Sequence, residues 1–246
     1  MDNIGVIPAR FGSTRFEGKV LKTLSGKPML QLVWEAAKQA KLLDAVIIAT
    51  DDERVKRVCT EFGAKVEMTA KQHSSGTDRI CEVVNPLEVK NVVNIQADEP
   101  LIRPEMIDSL VNVLLGDKKV YMATLIKKIT NSRDLENTNV VKVLKDKSDW
   151  ALYFSRSSIP YVRAGAEGEK AKPTFFKHIG LYAYTKDFLF TFKNLEKSEL
   201  ELSERLEQLR VLENGYRIKV IETEFETIGV DTPEDLEIAQ NLLNGR

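Results

Sequence analysis

The chain has 246 residues, with 36 Lys+Arg against 37 Asp+Glu, two cysteines, two histidines and 43% hydrophobic residues. That length buries a sizeable core, as one large α/β domain or two modest ones. A net charge of −1 on a chain that is 30% charged argues against a general nucleic-acid binder, which would carry a basic excess. No apolar run approaches the roughly 18–20 residues that cross a bilayer, and Met1-Asp-Asn-Ile-Gly5 has none of the features of a signal peptide. Cys59 and Cys81 lack metal-ligand spacing and are too few for a disulfide framework. The expectation is a soluble cytosolic protein whose two histidines leave little room for a histidine-rich mechanism.

Ile4 to Ala9 is an apolar run closed by a polar, glycine-containing loop. Met29, Leu32, Val33, Ala36 and Ala40 recur at helical spacing, with Pro28 suited to the first turn. The β-branched run 45–50 predicts a strand. Asp52 then caps a helix to about Phe62, which Gly63 ends. Strands are expected at 65–68 and 92–96, with helices over 77–84 and from Met106 to Leu114, stopping at Gly116. This alternation predicts βαβ units and a parallel sheet. Beyond 117, strands at 120–126, 140–144, 151–154 and 179–184 follow without regular helices between them, and 164–173 reads as a polar loop. A helix over 199–213, a strand at 218–221 and a helix from Pro233 to about Leu243 complete the chain. With no internal repeat and no low-complexity linker, the second half is expected to extend the same sheet.

Ligands of open parallel sheets bind beyond the carboxyl ends of the strands, and three segments there carry chemistry. The loop 8–19 holds Arg10, Arg15 and Lys19, while Gly12, Ser13 and Thr14 offer N–H groups and hydroxyls, a cradle suited to a triphosphate. It is neither a dinucleotide fingerprint nor a Walker A loop, since Gly26-Lys27 is followed by Pro28. In Ile95-Gln96-Ala97-Asp98-Glu99-Pro100, Asp98 is placed to hold Mg²⁺ with substrate phosphates completing the shell. Asp231, in Gly229-Val-Asp-Thr-Pro-Glu-Asp235, reads equally as a helix cap or a second metal ligand. The third segment is a set. His178 on an apolar strand reads more readily as a core residue than a catalyst. Helical projection puts Gln208 opposite the Leu202, Leu206 and Leu209 stripe and Glu207 on its flank, a solvated face. Arg156 can bind a carboxylate bidentately or pair with a nearby acid.

Taken together, Ile7-Pro-Ala-Arg-Phe-Gly-Ser-Thr-Arg15, Gly18-Lys19, Gly26-Lys-Pro-Met29 and Ala49-Thr-Asp51 resemble the sugar-nucleotide cytidylyltransferases. His73-Ser-Ser-Gly-Thr-Asp-Arg79, Asn94-Ile-Gln-Ala-Asp-Glu-Pro100, Ala151-Leu-Tyr-Phe-Ser-Arg156, His178-Ile-Gly-Leu-Tyr182, Leu206-Glu-Gln-Leu-Arg210 and 229–235 narrow the resemblance to the 3-deoxy-manno-octulosonate (Kdo) cytidylyltransferase family, the CMP-Kdo synthetases. The blocks run in family order from residue 7 to 235.

The resemblance implies a three-layer α/β/α sandwich with a mixed, mostly parallel sheet, of the nucleotide-diphospho-sugar transferase type. It further implies a single domain 1–246, with a nucleotide-binding half 1–116 and a sugar-binding and dimerisation half 117–246. The implied reaction joins CTP and Kdo into CMP-Kdo and pyrophosphate for lipopolysaccharide biosynthesis, with Mg²⁺, in a cytoplasmic homodimer without nucleic-acid or membrane partners. By the same resemblance Pro8, Ala9, Arg10, Ser13, Thr14, Arg15 and Lys19 serve the triphosphate, and Ser75, Gly76 and Arg79 the nucleoside. Asp98 and Asp231 serve the metal, and Gln96, Arg156, His178, Tyr182, Glu207 and Gln208 the sugar acid. Arg15, Lys19, Asp98 and Asp231 are the implied catalytic group.

Three positions depart from the family pattern. Glu17 and Val20 stand in a loop that relatives stiffen with proline. Ala97 replaces a glycine, at a cost of on the order of 1 kcal/mol or more if that position needs positive φ. Such a change leaves the 8-amino analogue of Kdo as an alternative substrate. A sialic-acid-type sugar and a non-catalytic nucleotide- or sugar-binding module are the remaining alternatives.

Overall fold

A computed structural model describes residues 1–12, 16–73, 75–163 and 173–245. The polar loop expected at 164–173, and Ser13, Thr14 and Arg15 of the triphosphate loop, thus lie wholly or almost wholly outside the described residues. The strands are β1 (Asn3–Pro8), β2 (Thr23–Leu24), β3 (Lys27–Pro28), β4 (Ala45–Thr50), β5 (Lys65–Met68), β6 (Asn91–Asn94), β7 (Met122–Lys128), β8 (Lys142–Lys145), β9 (Ala151–Ser155), β10 (Phe176–Thr185) and β11 (Lys219–Glu222). The helices are α1 (Met29–Lys38), α2 (Glu53–Glu61), α3 (Gly76–Val84), α4 (Pro104–Gly116), α5 (Ser132–Glu136), α6 (Lys186–Asn194), α7 (Glu199–Glu204), α8 (Leu209–Glu213) and α9 (Pro233–Asn244).

Among the described residues nine strands form one sheet, in the order β11-β7-β10-β6-β1-β4-β5, with the β8–β9 hairpin joined to β10. Along that path β10 runs antiparallel to both its neighbours and every other pair is parallel. The sheet is therefore mixed and mostly parallel, as expected. Alternation along β1 sends Ile7 to one face and Ile4 and Val6 to the other. Helices α1, α2 and α4 cover the first face and α3, α6 and α8 the second, which makes the three layers.

Local signals explain most boundaries. The continuous apolar run of β4 lies between β1 and β5, and both its faces are buried, Ile48 in one core and Ile47 and Ala49 in the other. The Asp52 side chain accepts from Arg54 N–H at the start of α2, and Gly63, at φ 82°, reverses the chain after it. Pro28 precedes the first turn of α1 with extended ψ of 138°, not within it.

Two expectations are corrected. The second half does contain regular helices: α5 follows β7, and α6 follows β10, where Thr185 caps it and Phe188, Leu189 and Phe192 dock against α3 on the second core. The helix expected over 199–213 is broken. It stops at Glu204, Arg205 takes a left-handed conformation (φ 56°), and α8 begins only at Leu209. Leu202 is consequently half exposed while Leu206 and Leu209 are buried, so no common stripe exists.

Candidate active site

The carboxyl ends of β1 and β6 lie side by side because the two strands are parallel neighbours in register. Ala9 N–H donates to Ala49 O at 2.8 Å, which pins the first residues of the loop beside β4. The loop then closes on itself through Gly18 N–H to Phe11 O at 2.9 Å. Gly18 sits at φ 65°, and a Cβ there would meet the Phe11 ring at 2.9 Å, so only glycine suits the position. The Arg54 guanidinium, paired with Asp52, stacks 3.4 Å from the Phe11 ring centroid on its outer side. Val20 is buried in the core beneath the short 3₁₀ turn Lys19–Leu21. Packing therefore anchors the loop at Val20, while Glu17 stays exposed.

The turn delivers Lys19 between two acids. Its Nζ lies 2.6 Å from Asp98 Oδ2 and 2.7 Å from Asp231 Oδ1. Asp98 follows β6, and its carbonyl accepts from Val230 N–H at 2.9 Å, a bond that brings the 230 segment onto the β6 loop. Asp231 is not the helix cap: Thr232 caps α9 in a capping box with Asp235, which leaves the Asp231 carboxylate to face Lys19. Burial works against the Lys19 charge, but Asp98 and Asp231 outweigh it and hold its pKa above the ordinary value. Burial, reinforced by Asp98, pushes the neighbouring Glu99 carboxyl up to about 7. Ala97 is absent from the positive-φ residues among those described, and it is buried, so its methyl fills space without backbone strain.

Ser75 caps α3, and a Cβ on Gly76 would lie 3.4 Å from Pro8 Cγ, so α3 starts against the end of β1. Arg79 is buried, donating to Asp51 Oδ2 at 2.9 Å and to the Thr69 hydroxyl. Thr77 Oγ1 donates to Glu207 Oε2 at 3.0 Å, which links α3 to the break between α7 and α8. Gln208 is only 6% exposed, contrary to the solvated face expected, because the left-handed Arg205 rotates 206–208 inward. Burial raises the Glu207 carboxyl pKa, opposed by Arg210 and the Thr77 hydroxyl. Ser75, Thr77 and Glu207 line a cavity of about 470 Å³ together with Lys193, Lys197 and Arg205.

Buried Arg210 pairs through Nε and Nη2 with both oxygens of Glu201 and supports this turn from beneath. Glu201→Ala leaves that guanidinium buried without its main partner and should cost about 3–5 kcal/mol. Replacing both with apolar residues should cost less. Urea denaturation of the three variants checks this, and equal losses would contradict it.

Antiparallel β10 carries the remaining residues past the end of β6, with Tyr182 opposite Asn94. Its register shifts between Ile179 and Tyr182, and Gln96 Nε2 donates to the Gly180 carbonyl at 3.1 Å. The Thr124 hydroxyl donates to carbonyls in this bulge, Leu181 O at 2.8 Å and Ile179 O at 3.1 Å. With its one hydrogen so used, Thr124 Oγ1 must accept from His178 Nε2, 2.9 Å away, which leaves Nδ1 as the ring's acceptor. The His178 ring stands between Phe154 and Tyr182, and burial pushes its pKa down to about 3. An unfolded histidine protonates near 6.5. Between those values the unfolded chain binds one proton more, so stability falls as pH drops through the window, by up to about 1.4 kcal/mol per unit. His178→Gln should flatten that fall in urea melts, and an unchanged slope would contradict a buried neutral ring.

The structure thus joins Lys19, Asp98 and Asp231 directly, and ties Gln96 to β10 and Glu207 to α3. Arg156 is fixed separately, by Glu204 and Thr138. Sequence reasoning missed Thr77, Thr124 and Glu204, whose partners lie 54 to 130 residues away or, for Glu204, 48. Asp51, at the carboxyl end of β4, had a readable signal in its position. Among the described residues no group of three or more His, Cys, Asp or Glu is arranged to hold a metal, so a metal here would need substrate oxygens.

Lys19, from the loop after β1, meets two convergent carboxylates at the strand ends, and the class is a nucleotidyltransferase: the cytidylyltransferase family model matches residues 4–221. The similarity extends to nearly the whole chain. A 3-deoxy-manno-octulosonate cytidylyltransferase of Solibacter usitatus is 53% identical over 97% of this chain and 93% of its own length. One of Fusobacterium nucleatum is 48% identical over 99% and 97%. The solved structure of CMP:2-keto-3-deoxy-manno-octonic acid synthetase complexed with CTP superposes with a TM-score of 0.92 at 41% identity, covering 100% of this chain and 99% of that one. The chain belongs to the 3-deoxy-manno-octulosonate cytidylyltransferase family.

Proposed function

We propose that the chain transfers the cytidylyl group of CTP to the anomeric hydroxyl of Kdo, giving CMP-Kdo and pyrophosphate for lipopolysaccharide assembly. The observation that carries the reading is the Lys19 ammonium gripped by Asp98 and Asp231 beside the loop that follows β1. A loop with three cations and two convergent carboxylates suit a polyanion and a bound cation together, as attack on a nucleoside triphosphate requires.

Positioning and charge neutralisation dominate such a phosphoryl-type transfer. Arg10, Ser13, Thr14, Arg15 and Lys19 bind the triphosphate, with Arg15 and Lys19 neutralising the departing pyrophosphate. Pro8 and Ala9 hold that loop at the end of β1, and Ser75, Gly76 and Arg79 shape the nucleoside side. Two carboxylate oxygens already converge on one cation, a donor set that suits Mg²⁺ once phosphates complete its shell. Asp98 and Asp231 would hold it, and when bound it would supply Lewis acidity at the α-phosphate. Arg156 binds the sugar carboxylate, and Gln96, Tyr182, Glu207 and Gln208 orient its hydroxyls. His178 stays neutral and contributes through its ring faces and Nδ1, not as an acid.

Exposed Leu152, Tyr161 and Val162 support a homodimer built through the 120–190 region. Light scattering should give twice the 27.8 kDa chain mass, and a monomer would remove that part of the reading. Arg156→Ala tests the sugar site: the KM for Kdo should rise more than tenfold while that for CTP stays within about twofold, as expected for lost ground-state binding. The reverse pattern would reassign Arg156.

A further inference from the structure

Arg156 is a half-buried cation whose guanidinium is bound, among the described residues, by neutral oxygens. Nε donates to Glu204 O at 2.7 Å and Nη1 to Thr138 O at 3.0 Å. Among the described residues no carboxylate pairs with the guanidinium, so its plane is fixed while its charge is left for an incoming anion. The Glu204 carboxylate is engaged elsewhere on the same segment. It accepts from Arg156 N–H at 2.9 Å and from the Ser155 hydroxyl at 2.6 Å.

Two further features complete the mount. Glu204 is the last residue of α7, and the left-handed Arg205 ends the helix there. In a continuous helix the Glu204 carbonyl would accept from Gln208 N–H. The break frees it for Arg156 and also turns Glu207 and Gln208 inward. A non-glycine residue held left-handed is a strained feature of the kind that gathers at functional sites. Behind the segment lies Lys142, fully buried, whose three ammonium donors are matched to three main-chain carbonyls: Arg156 O at 2.6 Å, Val140 O at 2.6 Å and Asn137 O at 2.9 Å. One side chain thus fixes both the main chain of Arg156 and the loop that carries the Thr138 carbonyl.

We infer that Glu204, backed by Lys142, is a positioning residue that sets the aim of Arg156 and so the affinity for the sugar acid, without touching substrate. The inference rests on the reading that Arg156 receives the sugar carboxylate. Because Glu204 lies one residue before the turn that carries Glu207 and Gln208, it also couples the carboxylate-binding and hydroxyl-binding sides of that pocket.

A double-mutant cycle tests it, with pyrophosphate release giving KM for each substrate and thermal melting reporting folding. Glu204→Ala should raise the Kdo KM about tenfold and leave the CTP KM within about twofold. Glu204→Gln, which keeps an acceptor oxygen, should recover much of the loss. In an Arg156→Ala background, Glu204→Ala should add almost nothing, since groups acting through one another are non-additive. If Glu204→Ala does not fold, Glu204→Met, which also removes both acceptor oxygens, takes its place in the cycle. An unchanged Kdo KM in Arg156→Ala would sink the reading of Arg156 itself. A large effect of Arg156→Ala with none from Glu204→Ala, or fully additive effects, would overturn the positioning role alone.

Discussion

Asp98→Asn lowers the rate of pyrophosphate release by on the order of 10²–10³-fold while changing CTP binding little. The substitution keeps the shape of the side chain and removes one of the two charges that converge on Lys19 Nζ. In the proposed function the triphosphate is held mainly by the loop after β1, whose anchors, the Gly18–Phe11 contact and buried Val20, do not involve Asp98. Ground-state binding therefore survives, and what is lost is charge stabilisation where bonds change. Steady-state kinetics with CTP titration separates the two, and near-normal turnover would remove Asp98 from the catalytic group.

Lys19→Met removes the opposite charge from the same cluster. Turnover per encounter with CTP, kcat/KM, should fall by about 10²-fold or more, because a cation that neutralises the departing pyrophosphate is gone. Two carboxylates then face each other without the ammonium that bridges them at 2.6 and 2.7 Å. The nucleotide-free variant should accordingly bind Mn²⁺, a spectroscopic substitute for Mg²⁺, more tightly than the parent protein. Opposite charges within a few ångströms attract, and the competing cation has been removed. Electron paramagnetic resonance of free Mn²⁺ reads this directly. Weaker Mn²⁺ binding would mean that Asp98 and Asp231 do not form one seat.

Local chemistry made the first half of the chain legible. The strands β4 and β5 were readable to the residue: β4 is a continuous apolar run closed before the Asp52 cap, and β5 is the short segment left after Gly63 ends α2. Helix α6 was not. Phe188, Phe190 and Phe192 alternate as in a strand, and the helix is settled by the Thr185 cap and by docking against α3. The break at Arg205 carries no glycine or proline to announce it. Its cause is tertiary: Glu204 holds Ser155 and Arg156 while Arg210 holds Glu201. That one break misplaced Glu207 and Gln208 on a solvated face, although the family resemblance put them in the sugar pocket. Lys19, Asp98 and Asp231 could each be singled out from their loops, but their convergence depends on the Val230–Asp98 backbone bond across the two halves of the chain.

The most direct test of the central claim is pyrophosphate release from CTP and Mg²⁺ with Kdo, its 8-amino analogue and a sialic acid in parallel. Kdo should support the highest kcat/KM, with CMP-Kdo as the product, and the sialic acid should support none. Release with no sugar acid, despite retained CTP binding, would contradict the account and leave a nucleotide-binding module in its place.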